Sequence, residues 1–553
     1  MNNRPATAAH MSAREHDLAA AALGADVVVI GGGANGCATA WDAALRGLRV
    51  VLLEKHDVGW ATSAWNSRMI HGGLKYLEKY DVALVRESLR EREWLLRAAP
   101  HLVEPLQFVL PFYQRNAHPA GVLKLGLAAY DILSWDKSTP NRKVFNRDRT
   151  RDLIPGLDDD GLQGSGAYYD CQISYSERLS VELAAAARAA GAVVLNHAHA
   201  DRILVTGQAV QGVEFTDEVT GASYTIPTRK IVNAAGPWVD EVMRETWPKA
   251  PPLMGGTKGT HLVVDDFPGA PRGVAMYYEA MTDARPMMVI PWLDRYLIGA
   301  TDVRFDGDLD RASRDEDELN YILRETNLLF PRANLTPADV HWSYTGVRPL
   351  PHQAEGPTGD ITRRHMIRDH GKDSRNRVRG LYSVIGGKLT TCRGLAEEVV
   401  DELTGKHRRI ARRGPTWHLR LPGAADPHRL SRTLAARNVE VPVAHRLAGL
   451  YGSRAWDVLA LAASRPELTK PLPGADGLTA AEVAFALEVD GAVTLEDIVA
   501  RRIMTGLDNS LGLDSLTEIA TAAAKIAGWD AKEKAAQVRA YKEYITKFQP
   551  AAV

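Results

Sequence analysis

Cysteine is scarce in this chain of 553 residues. Its three cysteines, Cys37, Cys171 and Cys392, lie far apart and form no C-x-x-C pair. That usage suits a reducing compartment and supplies neither a redox pair nor a ligand cluster, so no metal site is expected. The plain reading of each is a small buried residue. Long apolar runs are missing too. No stretch of about 18 apolar residues occurs, so no membrane-spanning helix is expected. Net charge is nearly absent: 67 basic residues face 68 acidic ones. No global field then draws the chain to nucleic acid or to an anionic surface, and any such attraction must be local. Residues 1–24 are rich in alanine, but Arg14, Glu15, His16 and Asp17 interrupt them. They hold no signal-peptide apolar core, and a disordered or loosely helical tail is expected.

What is present starts with an apolar β-branched run, Val27-Val28-Val29-Ile30, followed by Gly31-Gly32-Gly33-Ala34-Asn35-Gly36. A helical stretch from Cys37 to Leu45, then Gly47, leads to a second strand, Val50-Val51-Leu52-Leu53. That strand ends on Glu54, 18 residues after Gly36. G-x-G-x-x-G alone is weak, but strand, turn, helix, strand and acid in this order form a dinucleotide-binding unit. Gly31 allows the sharp turn, Gly33 lets backbone approach a pyrophosphate, and Gly36 lets the helix pack close on the strand. The helix N-terminus offers free N–H groups to phosphate. Glu54 can accept hydrogen bonds from ribose hydroxyls. The competing reading is a glycine turn in an ordinary α/β domain.

The unit does not by itself separate NAD from FAD. Residues 61–77 follow, with Thr62, Ser63 and Ser67 suited to a loop around phosphate and ribityl groups. Gly72-Gly73 permits backbone beside a flat ring, next to His71, Lys75 and Tyr76. Much later a strand at Lys230–Asn233 runs into Ala234-Ala235-Gly236-Pro237-Trp238 and returns the chain to the nucleotide sheet. A cofactor with two ends to hold needs such a return, which shifts the reading to FAD. The strand Lys258–Val264 carries His261, either a hydrogen-bonded strand histidine or a third candidate for chemistry. Arg348, between Val347 and Pro349, Arg363 beside Arg364, and Gly386-Gly387-Lys388-Leu389-Thr390 complete a set of anion-binding candidates. One such arginine belongs on the surface; three basic residues in Gly/Pro-framed settings suit a phosphate dianion.

Together the G-G-G-A-N-G turn, the S-x-x-N-S-R-M-I-H-G-G-L-K-Y-L-E stretch and the later basic motifs resemble FAD-dependent glycerol-3-phosphate dehydrogenase of the aerobic, respiratory type, over residues 25–400. One departure shows: the family usually has Arg where this chain has Lys75, and lysine lacks the planar fork. The resemblance implies an α/β fold. Its parts are a Rossmann-like, D-amino-acid-oxidase-like FAD domain, a β-rich substrate-covering domain and an all-α C-terminal domain. It implies FAD contacts at Gly31, Gly33, Asn35, Gly36, Glu54, Thr62, Ser63, Ser67, His71, Gly72, Gly73, Ala235, Gly236, Gly387, Lys388, Leu389 and Thr390. Substrate contacts are expected from Lys75, Tyr76, Arg348, Arg363, Lys388 and His261. The catalytic set is His71, Lys388 and Arg348, with His71 the first choice as base, Lys388 the second and His261 the third. Expected partners are glycerol 3-phosphate, a membrane quinone and the inner face of the cytoplasmic membrane, reached peripherally by a cytoplasmic homodimer. The rivals are an oxidase that passes electrons to oxygen, and a non-catalytic nucleotide-binding interaction protein.

The domain reading follows. FAD-binding segments at about 25–100, 176–250 and 340–404 interleave with substrate-domain segments at 101–175 and 251–339. Residues 405–423 form a linker with five basic residues in the eight positions 406–413. It is either a solvated hinge or a membrane-surface contact, each basic residue being worth about 1 kcal/mol near anionic lipid. Gly121–Trp135 is either a buried helix or an apolar surface dipping into lipid. Residues 424–553 read as helical, with capping boxes at Thr479…Glu482, Ser515…Glu518 and Asp530…Glu533. The last helix puts Val538, Tyr541, Ile545 and Phe548 on one face.

Overall fold

A computed structural model describes residues 6–78, 80–374, 377–405 and 414–549. The nucleotide unit forms as its sequence requires. Val27–Ile30 and Val50–Leu53 are fully buried strands paired in parallel, with the helix Ala34–Leu45 between them. Such a run must lie inside a sheet covered on both faces. The six-stranded sheet runs Met366–Asp369, Leu381–Ile385, Ile231–Asn233, Val27–Ile30, Val50–Leu53, Val193–Leu195. Its pairs are parallel except the antiparallel edge strand Met366–Asp369. The return at Ile231–Asn233 therefore lies directly beside the first strand, as expected. The three cysteines are buried in reduced form.

A second sheet, of ten strands, lies over the first unit and includes Thr257–Val264, Pro286–Trp292, Val103–Tyr113 and Leu162–Ile173. Val340–Arg348 pairs antiparallel with Thr257–Val264. This corrects the boundary drawn from sequence: the strand carrying Arg348 belongs to the substrate-covering sheet, and the chain re-enters the nucleotide sheet only at Met366. A three-stranded meander, residues 198–227, flanks the first sheet.

The expected N-terminal tail is a helix, Ala6–Ala22, with Leu18 and Ala21 buried. It is ordered by an ion pair: Arg14 Nε donates to Asp217 Oδ1 at 3.1 Å, 203 residues away. Of the two readings of Gly121–Trp135, the helix Ala120–Leu133 fits the exposed apolar surface and not the buried helix. Only Leu127 and Tyr130 are buried, whereas Val122, Leu125, Ile132 and Trp135 are 53, 71, 71 and 78% exposed. Among the described residues no helix is long and apolar enough to cross a membrane. The basic run of the linker, residues 406–413, lies outside the described residues.

The C-terminal part is helical. The capping box at Thr479 and Glu482 forms. Asp530 caps its helix through the Glu533 amide without the reciprocal bond, and Ser515 instead donates to the Gly512 carbonyl. The last helix, Ala531–Ile545, buries Tyr541 and Ile545, and Phe548 beyond it packs on Trp65 of the cofactor loop at 4.6 Å. Buried ion pairs join this domain to the nucleotide unit. Asp57 accepts from Arg501 Nε at 2.7 Å and from both terminal nitrogens of Arg502 at 2.7 and 2.9 Å. Arg178 donates to Asp490 at 2.9 Å, and Arg454 to Glu182 at 3.2 Å.

Candidate active site

Two cavities, each of about 360 Å³, are neighbours: Lys388 on the wall of the first lies 3.9 Å from the ring of Tyr76 on the wall of the second. The first is lined by Gly31, Gly33, Asn35, Glu54, Thr62, Ser63, Ala235, Gly236, Gly387, Lys388 and Leu389. The sequence-predicted cofactor residues thus converge from four distant segments. Glycine is needed at the turn: a Cβ on Gly36 would stand 1.9 Å from the Gly31 carbonyl oxygen, and one on Gly387 would stand 2.5 Å from Asn35 Nδ2. Ser63 Oγ accepts from the Ala34 amide at 3.0 Å, fixing the loop to the helix N-terminus. Glu54 accepts from the Gly32 and His56 amides at 2.6 and 2.9 Å. A carboxylate has further lone pairs for ribose hydroxyls. Asn35 Oδ1 is buried without a hydrogen-bond partner among the described residues, which suits a donor arriving with a ligand. The donor set, the glycine turn and this orphaned oxygen all fit FAD.

Six predicted cofactor residues do not line this cavity. Ser67, His71 and Gly73 face the second one, and Gly36 lies beneath the turn against the Gly31 carbonyl. Gly72 and Thr390 sit behind the walls: the Gly72 amide donates to Tyr130 Oη at 2.8 Å, and Thr390 Oγ1 accepts from the His71 amide at 3.2 Å. Asp170 anchors the turn from below, accepting from Tyr130 Oη at 2.8 Å and from Arg92 at 2.7 Å.

The second cavity is lined by His71, Lys75, Tyr76, Asp302, Arg348 and Arg363, with Ser67, Tyr277 and Arg285. Arg348 Nη1 and Arg363 Nη2 each donate at 3.1 Å to one oxygen of Asp302. Arg348 also donates to the Thr301 carbonyl at 2.8 Å and the Lys258 carbonyl at 3.1 Å. Gly259 makes room for it, since a Cβ there would lie 2.2 Å from its Nη2. Arg363 is the inward member of the doublet, and Arg364 is exposed. Asp302 was missed as a site residue; its only sequence signal is its place just after the strand Arg295–Gly299.

Burial opposes ionised Asp302, yet Arg348 and Arg363 hold its carboxyl below the ordinary range. Burial and the neighbouring Arg363 depress Lys75. Lys388 is pushed down to about 7 by burial, against the opposing charges of Glu87 and Asp81. Its Nζ lies 3.9 Å above the Tyr76 ring and donates to Ser88 Oγ at 3.2 Å. Burial takes His71 to about 4, with Asp170 opposing. His261 does not reach either cavity. It is buried, stacked on Tyr344, with Nε2 2.9 Å from Ser67 Oγ, and burial beside Arg348 takes it to about 3. Its place is to hold Ser67, which corrects its sequence assignment as a substrate contact and third base.

Residues 26–402 match the family model for FAD-dependent oxidoreductases, and residues 415–534 match that for the C-terminal domain of alpha-glycerophosphate oxidase. Fold and cavities thus define a two-domain flavin-dependent oxidoreductase that binds FAD. The chain is 42% identical to glycerol-3-phosphate dehydrogenase of Synechocystis sp., covering 94% of this chain and 96% of that protein. It is 36% identical to the Pseudomonas aeruginosa glycerol-3-phosphate dehydrogenase, over 87 and 92%. The crystal structure of the Bacillus halodurans glycerol-3-phosphate dehydrogenase complexed with FAD superposes with a TM-score of 0.79, at 27% identity and 99% of both chains. The chain belongs to the FAD-dependent glycerol-3-phosphate dehydrogenase family.

Gly36→Ala is expected to be recovered with most of its flavin missing, because the added methyl drives the helix off the turn. The visible flavin absorption relative to protein absorption checks this; full flavin content would mean that the turn relaxes around the methyl.

Proposed function

We propose that the chain oxidises sn-glycerol 3-phosphate to dihydroxyacetone phosphate and passes the electrons to a membrane quinone. The observation that carries the substrate reading is the pair of guanidinium groups, Arg348 and Arg363, braced by Asp302 on the wall of the second cavity beside Lys75. Such a wall suits a doubly charged phosphate, through charge-assisted contacts. Holding the phosphate there fixes the rest of the three-carbon chain and turns binding energy into orientation. Bound FAD supplies at N5 the acceptor for the hydride. The hydroxyl proton goes to Lys388, whose value of about 7 leaves a neutral amine available near neutral pH. A base works best with its pKa near the operating pH, which favours Lys388 over His71, the first choice from sequence. His71, held near 4, is neutral and orients the substrate from the Gly72-Gly73 turn.

For the acceptor, the support is the exposed apolar face of Ala120–Leu133. Val122, Leu125 and Ile132 recur at helical spacing, with Trp135 just beyond. An interfacial helix of this kind buries its apolar face about 5–10 Å into the lipid boundary. The reading is of peripheral attachment to the inner face of the cytoplasmic membrane, as a homodimer.

Anaerobic addition of glycerol 3-phosphate is expected to bleach the flavin. Arg348→Ala should raise KM on the order of 10- to 100-fold, the loss of roughly 1.5–3 kcal/mol of charge-assisted contact. A near-normal KM would remove Arg348 as the phosphate anchor. The base must be unprotonated, so kcat/KM should rise with pH and level off above about 7; a profile flat through that range would exclude Lys388 as base. Leu125→Asp with Trp135→Asp should abolish co-sedimentation with lipid vesicles and slow quinone reduction without slowing flavin bleaching. Stoichiometric hydrogen peroxide with oxygen, and no quinone reduction, would instead make the protein an oxidase.

A further inference from the structure

Beside Lys388 stands a cluster of three titratable groups that the reaction so far leaves unused. Glu87 and Ser88 are consecutive on the helix Val82–Ala98. Ser88 Oγ holds Lys388 Nζ at 3.2 Å, and the nearby Glu87 charge favours the charged form of Lys388 against burial. A carboxylate oxygen of Glu87, a ring nitrogen of His365 and a carboxylate oxygen of Glu398 all lie within 4.8 Å of one another. His365 Nε2 is 2.9 Å from Glu398 Oε2. The side chain of His365 is 7% exposed and that of Glu398 58%, so the three groups step from the interior to water. Glu87 Oε1 is buried and has no hydrogen-bond partner among the described residues.

We propose that Glu87, His365 and Glu398 form the exit by which the substrate's hydroxyl proton leaves the active site for solvent. This rests on the reading that Lys388 takes that proton. As the hydride leaves carbon with its electron pair for bound FAD, the O–H proton converts the Lys388 amine to an ammonium. The ammonium returns one proton to the Glu87 carboxylate. Glu87 passes it to His365, His365 to Glu398, and Glu398 to water. Every group ends as it began, and one proton leaves per substrate oxidised.

The electrostatics suit this traffic. Burial raises Glu87 above the ordinary carboxyl range, while His365 nearby opposes it, and burial lowers Lys388, so donor and acceptor approach one another. Burial disfavours charged His365, but Glu398 and then Glu87 hold it above its ordinary value. The other charges facing these groups are Glu91 at Glu87, Arg364 at His365, and Asp81 and Arg363 at Lys388. A purely structural ion pair needs only His365 and Glu398; it gives no reason for a third carboxyl beside them, half-buried, with one oxygen buried and without a partner among the described residues.

The test follows two signals at once. Anaerobic holoenzyme in weak buffer is mixed rapidly with glycerol 3-phosphate, and flavin bleaching and a pH-indicator dye are recorded together. In the wild type the dye is expected to change with the flavin. In Glu87→Gln and His365→Gln, the first bleaching should stay within a few-fold of wild type while proton appearance lags by at least about tenfold, with imidazole restoring it in His365→Gln and Glu87→Asp retaining it. Glu398→Gln, at the surface, serves if Glu87→Gln does not hold flavin. Proton release in step with bleaching in all these variants would overturn the route. So would tight Zn(II) binding to the wild-type holoenzyme that His365→Gln abolishes, which would make the cluster a cation site. A wild type that never bleaches would overturn the substrate reading itself, and the route with it.

Discussion

Crowding of like charge is the constraint around which the site is built. Arg348, Arg363, Lys75 and Lys388 all face or adjoin one cavity system, and taking such groups out of water is costly unless each is answered. Asp302 answers two of them through its two oxygens, backbone carbonyls of Lys258 and Thr301 answer more of Arg348, and Ser88 with the Tyr76 ring holds Lys388. The compensation is incomplete by design of the donors: arginine has five N–H groups and no acceptor. The remaining demand is for a small dianion. Burial, with Arg363 adding to it, lowers both lysines, so the enclosure that recognises the substrate also prepares a base.

The two glycine pairs serve this arrangement by bringing backbone, not side chains, to the cavity walls, Gly387 to the first and Gly73 to the second. Gly73, Gly386 and Gly387 all adopt positive φ, at +79°, +82° and +104°. The charged groups can then approach from the flanks while the turn presents only peptide. Asp170 secures one turn through Tyr130 and Arg92, and Asn35 lies against the other.

Much of this was legible in the chain. Runs such as Val27–Ile30 can only be buried strands, and Gly31, Gly33 and Gly36 have one economical use. What escaped has physical reasons. Ala6–Ala22 has a weak amphipathic pattern, and its partner Asp217 lies 203 residues away. Ala120–Leu133 carries enough apolar side chains to suggest burial, but sequence does not show that only one of its faces is covered. Val340–Arg348 reads as a strand in either sheet; pairing with Thr257–Val264 decides it. His261 reads in sequence as either a hydrogen-bonded strand histidine or a candidate for chemistry, and only the fold shows it turned to Ser67. Glu87 and His365 have no local signature, and Asp302 has only its place after a strand, since each gains meaning from a neighbour distant in the chain.

The ion cluster at Asp57 reaches into the protein's manufacture. Asp57 sits three residues past Glu54, in the first unit to be synthesised, and its counter-ion Arg501 follows 444 residues later. At roughly 5–20 residues per second on the ribosome, that carboxylate waits tens of seconds for its partner. Until then the loop behind the nucleotide cavity must keep a charge wet that the finished protein keeps dry. The helical domain thus arrives as the closing piece of the cofactor unit, and a ribosome that stops before residue 501 leaves behind a nucleotide fold whose back wall is still open to water.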